Sequence, residues 1–100
     1  MNATELKNIL NKESVVVFFY ADWCGGCKVA SPIVQKLATK LNFRLIKVQE
    51  SNDLEEQFEV DYYPHVIIAH KGSIKHYPGL QMINDFYESL IWKTTNWRSY

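Results

Sequence analysis

Cysteine is scarce in this chain and confined to one place: Cys24 and Cys27, three positions apart, are the only two. None is left for a disulfide framework or for a four-thiolate zinc site, and His65, His70 and His76 have no spacing that would complete a ligand set. No metal is expected. Net charge is also missing, with eleven basic residues against eleven acidic ones, so no long-range field draws the chain to nucleic acid or to an anionic membrane. No apolar run approaches the length that spans a bilayer. Met1-Asn2-Ala3-Thr4-Glu5-Leu6 lacks the basic region and apolar stretch of a signal peptide. These absences predict a soluble protein of a reducing compartment, with the cytoplasm as the default. Glycine and proline are few, four and three, and there are no repeats, linkers or low-complexity segments. The 100 residues, 47% of them apolar, suffice for one core, so residues 1–100 are expected to form a single domain.

What the chain does hold is a sharp change of pattern around the cysteines. Ser14 to Tyr20 is strand-like, with Val15, Val16, Val17, Phe18 and Phe19 unbroken. From Val29, apolar residues recur at Ile33, Leu37 and Leu41, with Ala30, Val34 and Ala38 beside them, the stripe of a helix with one buried face. The cysteines therefore stand where a buried strand turns into a helix. A thiolate there meets the unpaired N–H groups and positive dipole end of the helix, which lower a thiol pKa. The two-residue spacer lets the second sulfur reach the first within one turn. This pattern points to dithiol redox chemistry with no bound cofactor. Two bland alternatives are half a zinc site and a pair of buried, inert thiols; Gly25-Gly26 argues against burial inside a helix.

The remaining elements follow in order. Asn2 and Glu5 make an N-cap with a capping-box acid for a first helix to about Leu10. Asn42 is a stop for the long helix, and Phe43 to Gln49 reads as a second strand. Asn52 with Glu55 caps a short helix in which Leu54 and Phe58 pair. Val66 to His70 is a third strand, Lys71-Gly72 a hairpin turn, and Ser73 to Tyr77 an antiparallel fourth. A terminal helix runs from Met82 to about Trp92, and residues 94–100 have no clear period.

Trp23-Cys24-Gly25-Gly26-Cys27-Lys28 resembles the active-site motif of the thioredoxin family, usually Trp-Cys-Gly-Pro-Cys-Lys. Three further landmarks match in order: Pro32 in the helix, the Val60-to-Val66 stretch around Tyr63-Pro64-His65, and Gly79 before the last helix. The similarity runs from about Asn2 to about Trp92. It implies an α/β thioredoxin fold, a mixed four-stranded sheet with helices on both faces, lacking the usual first strand. The implied strand order in space is 43–49, 14–20, 65–70, 73–77. The implied function is thiol–disulfide exchange with protein disulfides, Cys24 attacking and Cys27 resolving. Trp23, Gly25, Gly26, Tyr63, Pro64, His65 and Gly79 would form the substrate surface, with a cis Tyr63–Pro64 bond that exposes the Tyr63 backbone to a substrate strand. The implied partners are disulfide-containing proteins and a thioredoxin-reductase-type donor. A binding subunit that uses the Trp23/Tyr63/Pro64 surface without turnover is the alternative.

The chain departs from the family pattern at several places. Gly26 replaces the usual proline and leaves the motif less rigid. Phe18 stands six residues before Cys24, where the family has a buried aspartate thought to move the proton of the second thiol. Lys47 would then lack its partner and snorkel to solvent. His65 is expected either to approach the dithiol or to be an exposed loop residue. Without a leading strand, Phe43 to Gln49 is expected at an open edge. That edge would be covered by the N-terminal residues or paired with another chain, giving a monomer or a weak edge-strand homodimer.

Overall fold

All five inner residues of β1 (Ser14–Tyr20), Val15 to Phe19, are buried. In the computed structural model, which describes residues 1–97, this strand lies inside a four-stranded sheet of order β2-β1-β3-β4. β2 (Arg44–Gln49) runs parallel to β1 with Val17 opposite Ile46, and β3 (His65–His70) runs antiparallel with Val17 opposite Ile67. β4 (Ser73–Pro78) is antiparallel to β3. The helices α1 (Ala3–Lys12), α2 (Gly25–Leu41), α3 (Asn52–Gln57) and α4 (Gly79–Trp97) complete the α-β-α-β-α-β-β-α order expected from the sequence.

Strand pleating sends alternate β1 side chains to opposite faces and so builds two cores. Val16 and Phe18 join Cys27, Ala30, Val34 and Leu37 of α2 and Ile83 of α4. Val15, Val17 and Phe19 join Leu6 and Leu10 of α1, Leu54 of α3, and Val60. The dithiol belongs to the first core.

Several boundaries differ from the expectations. α1 runs to Lys12, two residues past Leu10, and its cap is the expected one: Glu5 N–H donates to Asn2 Oδ1 at 2.8 Å. In α2 the buried face is Cys27, Ala30, Val34, Leu37 and Ala38, while Val29 is exposed. The 3.6-residue turn places Cys27, not Val29, at the head of that stripe. Asn42 ends α2 in a left-handed conformation, as expected for a stop. β2 begins at Arg44, one residue after Phe43. α3 is capped by Ser51, whose Oγ accepts from Leu54 N–H at 3.4 Å, so Asn52 is already helical. Both turn residues of the β3–β4 hairpin, Lys71 and Gly72, have positive φ. α4 begins at Gly79, three residues before Met82, and continues past Trp92 to Trp97.

Among the described residues β1 is the only strand beside β2, so the outer edge of β2 is open. The N-terminal residues do not run along it as a strand, because residues 3–12 form α1.

Candidate active site

The turn from β1 into α2 is short: Ala21, Asp22 and Trp23 lead to Cys24, whose N–H donates to Ala21 O at 3.2 Å. Cys24 is the N-cap of α2, with extended backbone (φ −87°, ψ 108°), and its Sγ accepts from Cys27 N–H at 3.1 Å. Sulfur thus occupies the place that a Ser or Asp oxygen holds at other helix starts, and it faces the positive end of the dipole. Cys24 and Cys27 are joined in a disulfide with Cα atoms 5.2 Å apart. Cys24 is 7% exposed and Cys27 3%.

The Tyr63-Pro64 loop packs over this turn. The Tyr63–Pro64 bond is cis. A Cβ placed at Gly26 would come 3.4 Å from Pro64 Cδ, so the loop sits directly on the first turn of α2; a Cβ at Gly25 would meet nothing within 4 Å. Gly79 N–H donates to Pro64 O at 2.8 Å, and its φ of +86° is one that L side chains rarely adopt. Trp23, 71% exposed, meets Tyr63 edge-on with ring centroids 5.7 Å apart. The Tyr63 hydroxyl donates to Glu55 Oε2. Burial, reinforced by Glu55, pushes the phenol well above its usual range. Tyr62 adds a second exposed aromatic to the rim. Trp23, Gly26, Tyr63, Pro64 and Gly79 are therefore gathered around the disulfide, with Gly25 on its open side.

His65 is not among them. It lies in β3 opposite Phe19 and is 3% exposed, so it is neither a loop residue nor an exposed one. Alternation puts its ring on the α1/α3 side of the sheet, edge-on to Phe19 (centroids 6.0 Å apart), with Nε2 2.9 Å from His76 Nδ1. The dithiol is on the other side. His65 Nδ1 is buried without a hydrogen-bond partner. Burial, together with the neighbouring His76, pushes its pKa down to about 4, against a weaker upward pull from Asp61. Among the described residues no three His, Cys, Asp or Glu side chains come together as a metal cage.

A second feature escaped the sequence reading. A cavity of about 190 Å³ opens beside Cys27, walled by Phe18 and Tyr20 and by the polar Asp22, Lys28, Ser31 and Lys47. Lys47 stands directly opposite Phe18 in the β1–β2 register and is exposed, with its chain along this wall. The family resemblance made Lys47 the neighbour of position 18, but Asp22 and Lys47 are too far apart in sequence for the cavity to be anticipated.

A disulfide that caps a helix, lies beside an exposed tryptophan and is overhung by a cis-proline loop makes this molecule a thiol–disulfide oxidoreductase. The thioredoxin family profile matches residues 1–91. The chain is 35% identical over 77 residues to a thioredoxin of Mycoplasmoides gallisepticum, covering 73% of this chain and 77% of that protein. It is 40% identical over 76 residues to mouse protein disulfide-isomerase A4, a match that takes in 69% of this chain but only 12% of the isomerase. Among solved structures it resembles oxidised mitochondrial thioredoxin 3 of Saccharomyces cerevisiae, with a TM-score of 0.74, 28% identity, and 89% and 88% of the two chains covered. The chain belongs to the thioredoxin family.

Proposed function

We propose that the chain reduces disulfides in other proteins, with Cys24 as the attacking thiol and Cys27 as the resolving one. The observation that carries this assignment is the cap: Cys24 Sγ holds the helix-start position, and Cys24 is the more exposed of the two residues. In the reduced protein a Cys24 thiolate attacks the substrate disulfide and forms a mixed disulfide, releasing one substrate thiolate. Cys27 then attacks Cys24 Sγ, re-forms the internal disulfide and releases the second. The substrate chain lies along Tyr63-Pro64 against Trp23, with Gly25, Gly26 and Gly79 keeping the approach clear. His65 has no part in this surface. Electrons come from a thioredoxin-reductase-type donor in the cytoplasm.

Reduction of insulin by the protein, first with dithiothreitol and then with NADPH and a thioredoxin reductase, tests this reading. Insulin should precipitate faster than with reductant alone, and NADPH should be consumed in proportion. Insulin left at the background rate would favour a binding subunit that uses the Trp23/Tyr63/Pro64 surface without turnover.

The open β2 edge supports a weak two-fold homodimer by strand pairing. Arg44, held at 3.3 Å by Glu13, and Lys47 place one charge near each face, which limits the affinity. Sedimentation equilibrium should show dimer only at high concentration. Monomer throughout, with fast hydrogen exchange along β2, would count against pairing.

A further inference from the structure

Resolution by Cys27 requires the loss of a proton, because a thiolate and not a thiol attacks sulfur. Cys27 is 3% exposed and belongs to the buried core that includes Val16, Phe18 and Val66 of the sheet. The neighbouring β1 residue Phe18 offers no acid–base group. The one histidine near the Tyr63-Pro64 loop that could have served, His65, faces the opposite side of the sheet. The exit that remains is the cavity of about 190 Å³ on which Cys27 borders. Bulk water occupies about 30 Å³ per molecule, so this space holds several. Its titratable and charged walls are Tyr20 from β1, Asp22 from the turn, Lys28 from α2 and Lys47 from β2, and Ser31 also lines it.

We propose that Asp22 is the acceptor of the Cys27 proton, reached through water in this cavity, with Lys47 favouring the thiolate that is left. This rests on Cys27 being the resolving thiol. Asp22 is the one carboxylate on the cavity wall, and Gln49 Nε2 donates to its Oδ2 at 2.7 Å, which fixes the group at the cavity. In the mixed disulfide the Cys27 S–H proton passes along water to the Asp22 carboxylate. The Cys27 thiolate then forms its bond to Cys24 Sγ, and the Cys24–substrate bond breaks. The departing substrate thiolate takes up a proton from the Asp22 carboxylic acid or from solvent. One proton and one electron pair are thereby accounted for, with no further reactant. When the disulfide is reduced again, the same path returns the proton to Cys27. The cationic ammonium of Lys47 draws the equilibrium toward the anion by the attraction that lowers the pKa of any thiol near a lysine.

The test separates the two steps by stopped-flow with an aromatic disulfide whose two thiols are released one after the other. Loss of the second phase in Cys27→Ser establishes Cys27 as the resolving thiol, independently of Asp22. A second phase that survives in that variant would overturn the reading on which this inference rests. In Asp22→Asn the second phase should slow roughly 100-fold at pH 7, the low end of what a general base contributes, and recover toward pH 9, where hydroxide takes the proton. Asp22→Glu should retain most of the rate. Phe18→Asp, placed on the same wall in the Asp22→Asn background, should restore the second phase at pH 7 in protein confirmed folded by circular dichroism. A second phase with an unchanged pH profile in Asp22→Asn, or one lowered equally at every pH, would overturn the proposal.

Discussion

Replacing Cys24 by serine should reduce insulin-reducing activity to the chemical background, a loss of roughly 10³-fold or more, as when a nucleophile is removed from a covalent mechanism. The substitution is informative because serine is among the best N-cap residues. Its Oγ can accept the Cys27 N–H that Cys24 Sγ now accepts at 3.1 Å, so α2 should begin where it does in the parent protein. What disappears is the sulfur and with it the mixed disulfide. Cys27→Ser should behave differently: the first step proceeds and the second cannot, so about one equivalent of substrate stays bound until dithiothreitol is added. Mass spectrometry should find that adduct on Cys24. Activity of Cys24→Ser within tenfold of wild type would move the attacking role to Cys27.

Acid should weaken the fold through His65. In the folded protein its pKa is pushed down to about 4 by burial and by His76, while the unfolded chain has an ordinary histidine value of about 6.5. Between those two values the unfolded chain holds more protons, so stability rises with pH across that window. The neutral ring contributes fully above about pH 6.5, and its contribution is lost as pH falls through about 4, a total of about 3 kcal/mol at 1.36 kcal/mol per pKa unit. Glu59 and Asp61 line a cavity of about 300 Å³ with His65 and His76, and the Asp61 carboxylate opposes the shift without reversing it. Urea unfolding at pH 7.5 and pH 4 measures the loss. His65→Leu, which fills the same space beside Phe19 without a proton site, should remove most of it. Equal losses in wild type and variant would assign the acid sensitivity to other groups.

The sequence was legible wherever a local pattern decided the structure. Val15 to Phe19 could only be a strand buried on both sides, and the cysteines at its end had to meet a helix start. The sheet order followed from the family resemblance at Tyr63-Pro64 and Gly79. Errors arose where one residue competed with its neighbour for a role. Ser51 and Asn52 are both good caps, and only the backbone chooses between them. Val29 continues a four-residue series, yet a helix advances 3.6 residues per turn, and the drift carries it into solvent. His65 was misread because the proline before it suggested loop, although parity with Ile67 and Ala69 already placed it on the Phe19 side. Its contact with His76 depends on the β3–β4 register, with Ile67 opposite His76, and no local pattern contains that.

Hydrogen bonding on both sides of β1 has a consequence for how the molecule opens. Among the described residues β2 and β4 each have a single neighbour and can detach locally, whereas β1 and β3 are each held by two ladders and supply side chains to both cores. The amides of these two inner strands should be the slowest to exchange. Cys24 follows β1 after three residues and so is anchored to one of these inner strands. Tyr63 and Pro64 lie between α3 and β3, outside any helix or strand. Pro64 is itself buried and runs directly into β3, so the loop and the disulfide are each tied to an inner strand of the sheet.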